Sequence, residues 1–249
     1  MNSSFANIKT ITKRELSAYF ASPVAYVFIV IFLLLAGFFT FMAGQFFARN
    51  QADLTAFLMW HPWLYLFLVP AVGMRLWSEE RRMGTMELLL TFPITSWQAI
   101  VGKFLASWLF LLLALALTFP VWITANYLGN PDNGIAFAGY VGSFLMAGAY
   151  LAISCMTSAM TRNQVVSFII SVVICLLLIL AGWPPVTKLL ESVSEGGGLV
   201  RTVAAFSVMT HFENFQRGVL DSRDIIFFVA VMVFSLFATS VIIRNHRAG

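Results

Sequence analysis

The sequence predicts an all-α, polytopic membrane protein with six transmembrane helices, and three observations carry that reading. Of 249 residues, 60% are apolar and only 10% charged, with a mean hydropathy of +0.86, against about a quarter charged in soluble domains. Too little polar surface remains to cover a globule in water. The charged residues cluster, leaving six uncharged runs at 16–48, 54–74, 104–131, 133–161, 163–187 and 225–243, each close to or above the roughly 20 residues that cross about 30 Å of hydrocarbon. The runs also lack the polar alternation of barrel strands, so helices are the backbone that satisfies its own hydrogen bonds in lipid.

Taken in order, residues 5–20 place Phe5, Ile8, Ile11, Thr12, Leu16 and Tyr19 at helical spacing with Lys9, Lys13 and Arg14 elsewhere on the wheel, the pattern of an interfacial helix or a simple lipid anchor. Pro23 after Ser22 opens the first span, expected at 24–46. Its apolar run exceeds a signal-peptide core and no small-x-small site closes it before Arg49, so it is expected to stay on the chain. The second span is expected at 57–76. A polar stretch from 77 to 103 follows, in which Gly84 stops a helix, Thr85 caps the next with Glu87 in its first turn, and Pro93 ends it. The uncharged piece 88–102 is too short to cross and reads as interfacial.

Thr95 with Gln98 forms a capping box leading into the third span, 104–127. Pro70 and Pro120, inside spans two and three, are expected to kink or hinge them. The fourth span, 138–160, carries Gly139, Ser143 and Ala147 on one face with Gly142 and Gly148 nearby, a surface for close helix approach whose neighbour is either within the chain or in a second copy. A fifth span, 164–183, precedes a long outer loop, 184–224. Its Lys188–Glu195 segment reads as soluble, Gly196–Gly198 as a flexible break, and 199–217 as short interfacial structure. The last span is expected at 225–243.

An even number of spans puts both termini on one side. That side holds ten basic and four acidic residues, the other five basic and seven acidic, so both termini are expected in the cytoplasm. Trp60, Trp63, Trp122 and Trp183 fall toward the outer ends and Trp77, Trp97 and Trp108 toward the inner ends, as interfacial belts do, the alternative being that some are packing residues. Apart from Arg75 at the inner end of the second span, the spans hold no Asp, Glu, Lys or Arg, and His61, His211 and His246 lie at span ends or in loops. This disfavours ion-coupled carriers, proton pumps and voltage sensors, and leaves no pair of histidines for haem within the bundle. Cys155 and Cys175 sit in apolar runs and form no metal-binding spacing. No GxxxxGK[ST] motif occurs. The chain is therefore expected to be no enzyme, with no catalytic, metal or cofactor-binding residue and no nucleic-acid partner; any energy for transport must come from elsewhere.

The string Ser78 Glu79 Glu80 Arg81 Arg82 Met83 Gly84 Thr85 Met86 Glu87 Leu88 Leu89 Leu90 Thr91 Phe92 Pro93 resembles the signature of ABC-2 type transporter permeases, an E-x-x-x-G-T-x-E-x-L-L-x-x-P-like stretch after the second span. Six spans, a long outer loop and an amphipathic lead are similar to that family as well, so the resemblance covers the whole chain. The segment His211–Asp224 further resembles the gliding-motility-type permease branch.

The resemblance implies a single ABC-2 (type V exporter-like) permease domain, 1–249, with 1–22 an elbow helix, 77–103 a cytoplasmic coupling loop and 184–224 an outer loop with short helices. It implies the permease subunit of an ATP-binding cassette exporter in a bacterial inner membrane. The implied partners are a separate nucleotide-binding ATPase subunit, a second permease copy or related permease, and an auxiliary membrane protein. Glu79, Glu80, Arg81, Gly84, Thr85 and Glu87 would belong to the element that receives the ATPase stroke. Arg162, in the turn Thr161–Gln164, would be a second contact or simply a positive-inside anchor. The competing classes are a structural or assembly protein without transport and, less favoured by the uncharged spans, a secondary transporter or channel.

Overall fold

Small residues concentrate in one segment, Asn133–Met160, and the fold is built around it. The structure, a computed structural model, describes residues 2–49, 53–86, 94–193 and 198–245, and among these every regular element is helical. In chain order they are α1 (Asn2–Ala21), α2 (Pro23–Phe38, prolonged by a π-helical turn Phe39–Ala43), α3 (Thr55–Leu58), α4 (His61–Gly73), α5 (Arg75–Met83), α6 (Ser96–Ala116) and α7 (Phe119–Leu128). There follow α8 (Asn133–Met160), α9 (Gln164–Leu180), α10 (Pro184–Val193), α11 (Gly198–Ala205), α12 (Val208–Gln216) and α13 (Ser222–Asn245).

The hub is α8, which packs against α4, α5, α6, α9, α12 and α13. Lipid tails are as apolar as Leu, so close van der Waals approach rather than water exclusion holds such helices together. The glycines of α8 supply that approach. A Cβ on Gly139 would come within 2.2 Å of Leu58, one on Gly142 within 2.6 Å of Phe215, and one on Gly148 within 2.8 Å of Trp108 and Met232. The neighbours of these glycines thus lie within this chain, on α3, α12, α6 and α13.

Among the described residues, four helical stretches are long and apolar enough to cross a membrane: Pro23–Ala43, Ser96–Leu128, Asn133–Met160 and Ser222–Asn245. The expected fifth span is the apolar but 17-residue α9, and the second is assembled from α3, the 13-residue α4 and the start of α5. Local signals set several boundaries. Ser22 caps α2 with Pro23 in its first turn, and the Thr95–Gln98 capping box starts α6 eight residues before its charge-free run begins. At Pro120 the expected kink is a break: α6 ends at Ala116, Thr118 Oγ1 donates to Leu115 O at 2.6 Å, and α7 restarts with Pro120 in its first turn, where a missing N–H costs nothing. Pro70, by contrast, lies inside α4 without ending it.

Tryptophan depth departs from the interfacial expectation at Trp77, and Trp108 also packs inward, its indole donating to Phe144 O at 3.0 Å and stacked on the Phe144 ring. Trp97 and Trp183 are exposed, but Trp77 is only 1% exposed, its indole donating to Cys155 Sγ at 3.2 Å. It packs between helices and does not line a lipid interface.

Candidate functional site

The first half of α5, the start of α6, the end of α8 and the amphipathic α1 meet at one end of the bundle, and the polar stretch after α4 grows from that junction. Met74 separates α4 from α5 by a single residue. The buried side of α5 is Leu76, Trp77 and Ser78. Ser158 of α8 clamps it: the backbone N–H groups of Trp77 and Ser78 both donate to Ser158 Oγ at 3.0 Å, and Ser158 Oγ donates to Met74 O at 2.8 Å. One turn further, Arg81 donates to the Ala159 carbonyl. A hydroxyl buried between helices finds three backbone partners here, which fixes the register of α5 on α8.

Beside this clamp lies Lys103, with a side chain only 6% exposed. Its ammonium is 2.7 Å from Glu80 Oε1 and 3.4 Å from Glu15 Oε2, and 5.6 Å from the centre of the Trp77 ring. The charge is thus shared among α1, α5 and α6. Burial alone would raise the Glu15 carboxyl, but Lys103 and then Arg14 outweigh it, and its pKa lies below the ordinary value of 4.5. Along the same seam, Thr12 Oγ1 donates to Gly102 O at 3.2 Å, and Ile11 lies so close that a Cβ on Gly102 would meet it at 2.6 Å. Tyr19 hydroxyl and Ser107 Oγ share a hydrogen bond at 2.9 Å, and burial pushes the Tyr19 phenol up to about 12. The N-terminal helix is therefore docked on α6.

The sequence-predicted coupling residues separate into two groups. Glu80 turns inward to Lys103. Arg81 bridges to α8, and its pKa lies below 12.5, through burial and then through the nearby Arg162; the turn after α8 and the end of α5 are thus neighbours. Arg162 itself is exposed. Glu79 is part-exposed and sits 3.6 Å from Arg75 one turn back. Gly84 ends α5 in the left-handed conformation at φ +70°, the C-cap role expected of it, and Arg82, Met83, Gly84 and Thr85 are all exposed. Glu87 and the short helix expected up to Pro93 lie outside the described residues.

Sequence reasoning missed Lys103, Glu15, Trp77 and Ser158 as parts of this junction. Lys103 had one visible signal, being the only charged residue between Glu87 and Asp132. Ser158 had none, since one hydroxyl in an apolar helix looks like any other.

No curated protein matches the chain. The family model described as ABC-2 family transporter protein matches residues 9–196, from within α1 to just past α10. That span takes in the hub helix, the docked N-terminal helix and the clamped α5 with its exposed tip, and this chain belongs to the ABC-2 family of transporter proteins.

Proposed function

We propose that this membrane permease is driven by a separate nucleotide-binding subunit that grips the exposed tip following α5, and that it exports its substrate across a bacterial inner membrane. The observation that carries the reading is the mounting of the tip. Arg82, Met83, Gly84 and Thr85 are exposed, while within two turns upstream α5 is fastened to α8 through Ser158 and to α6 through Glu80 and Lys103. A push on the tip therefore reaches the hub helix and α4 as a rigid displacement, without first bending a loose loop. The short joint at Met74 makes α4 and α5 a single lever.

In this assignment the residues divide by role. Arg81, Arg82 and Arg162 give the tip a basic face suited to an acidic groove on the ATPase, and Glu87, with Glu79, supplies carboxylates for contacts made and broken near water. Glu80 is an internal strut. Gly84 provides the turn, with Thr85 following it. The α4–α5 pair and α9 complete six crossings with both termini in the cytoplasm, and two permeases with two ATPase subunits form the transporter. The segment His211–Asp224 supports the gliding-motility-type branch, with an auxiliary membrane protein as a further partner.

The test is co-expression with the ATP-binding subunit, followed by purification. Arg82→Glu and Arg162→Glu together are expected to leave membrane insertion intact while lowering co-purification and the ATPase activity of the complex several-fold. Unchanged co-purification and activity in that double variant would remove the tip from the coupling path.

A further inference from the structure

The end of the bundle opposite the junction carries a separate polar cluster, built on α12 and the start of α13. Phe215 of α12 lies over Gly142, toward the start of α8, whereas the junction sits at the other end of that helix. Asp224, only 3% exposed in the first turn of α13, has both carboxylate oxygens engaged. Its Oδ1 is 2.6 Å from His211 Nδ1, and its Oδ2 accepts from Asn214 Nδ2 at 2.9 Å. The other ring nitrogen of His211, Nε2, lies 3.1 Å from the carbonyl oxygen of Ala205, the last residue of α11. Both nitrogens thus face acceptors, and a neutral imidazole has a single N–H to give. Only the imidazolium donates to both. The ring also stacks on Phe227 with centroids 4.0 Å apart, a contact that favours positive charge.

The two sides of this cluster are held differently. α10 and α11 pack mainly on each other. α12 is fixed in place: the buried Ser207 caps it by accepting from the Met209 and Thr210 N–H groups, and Gly182, just past α9, lies so close that an added Cβ would overlap the Ser207 hydroxyl. One exposed residue, Phe206, separates that cap from Ala205. No other charge stands in for the His211–Asp224 pair. α8 and α9, both packed on α12, carry no charged residue. Glu213 pairs with Arg217 along α12, Asp221 Oδ1 accepts from the Arg223 N–H, and the Arg223 side chain is exposed.

We infer that His211 is a pH-operated latch for the α10–α11 pair. As the imidazolium it ties the end of α11 to Asp224 at the start of α13. When one proton leaves, the remaining N–H stays on Nδ1, because a bare lone pair set against a buried carboxylate is the costlier arrangement. Nε2 then turns a lone pair toward the Ala205 oxygen, and that contact becomes repulsive. α11 swings away about Phe206 while α12 and α13 stay joined. The latch therefore holds in acid and opens as pH rises through the imidazole range. With both termini in the cytoplasm, as proposed above, this end meets the outside medium and answers to its pH; the experiment below reads the latch in either orientation.

The full chain in mild detergent is taken from about pH 5.5 to about pH 8.5, across the range in which an imidazole changes charge. Hydrogen exchange is followed by mass spectrometry and expressed as protection factors, which remove the intrinsic pH dependence of exchange. Protection of α11 and of the Phe206 and Ser207 amides should fall about tenfold at the higher pH, the worth of one hydrogen bond to a charged group, while α13 is unchanged. His211→Gln should show the low protection at both pH values with unaltered circular dichroism. Equal protection at both pH values in the unaltered protein, or a pH-dependent fall that persists in His211→Gln, overturns the proposal. Ring ¹⁵N shifts of labelled histidine give a reading that needs no variant: Nε2 of His211 should lose its proton over this range and Nδ1 keep its own. Loss from Nδ1 first, or a ring whose protonation stays constant throughout, also overturns the latch.

Discussion

A buried ammonium is tolerable only where acceptors close around it, and Lys103 has two carboxylates and an indole face. Lys103→Met keeps the volume but strands Glu80 and Glu15. It should lower stability by about 3 kcal/mol, read from thermal unfolding in detergent, with part of the loss restored when Glu80→Gln is added. Glu15 makes a pH prediction. Its folded-state pKa is depressed below 4.5, so its contribution is fully present above that value and is lost as pH falls through the lower folded-state pKa. A plot of unfolding temperature against pH should drop in that acid window, and Lys103→Met should flatten the drop. At Gly84 the cost of a side chain is conformational, since φ is +70° and no atom lies within 4 Å of an added Cβ. Gly84→Ala should destabilise the end of α5 by about 1 kcal/mol, seen as faster amide exchange there, with Gly84→Asn milder.

At the scale of elements, the assembly depends on how closely other helices approach α8. Gly148→Leu drives its side chain into Trp108 and Met232, where even a Cβ would sit 2.8 Å away, and overpacking of this kind costs about 1–3 kcal/mol. Because those neighbours belong to the same chain, the variant should unfold at lower temperature while its oligomeric state, measured by light scattering with detergent correction, stays the same. A change of oligomer without loss of stability would place the small-residue face between copies instead. The starts of α2 and α6 were legible in sequence because a cap is a four-residue pattern: Ser22 with Pro23, Thr95 with Gln98. Charge gaps alone start the third span at 104, eight residues inside α6, because a helix can carry a lysine inward when partners await it, and those partners lie on α1 and α5. Trp77 was misassigned for the same reason. Its burial follows from Cys155, 78 residues away, and no local pattern announces that contact.

For the whole molecule, composition alone excluded a soluble globule, and the Ser78–Pro93 string pointed to the family that the chain belongs to. The junction was less legible. Its residues were visible singly, but the Lys103–Glu15 pairing spans 88 positions and exists only once α1 lies on α6. Orientation gives a further prediction. A cysteine at Thr85, with Cys155 and Cys175 replaced by Ala, should resist a membrane-impermeant maleimide in intact cells and react after lysis. The most direct test of the central claim is a photo-crosslinking amino acid at Arg82 in cells expressing the complete transporter. The account predicts a crosslink to a subunit carrying a Walker A motif, with a yield that differs between ATP-bound and nucleotide-free states. A tip that crosslinks to no nucleotide-binding subunit in either state would contradict it.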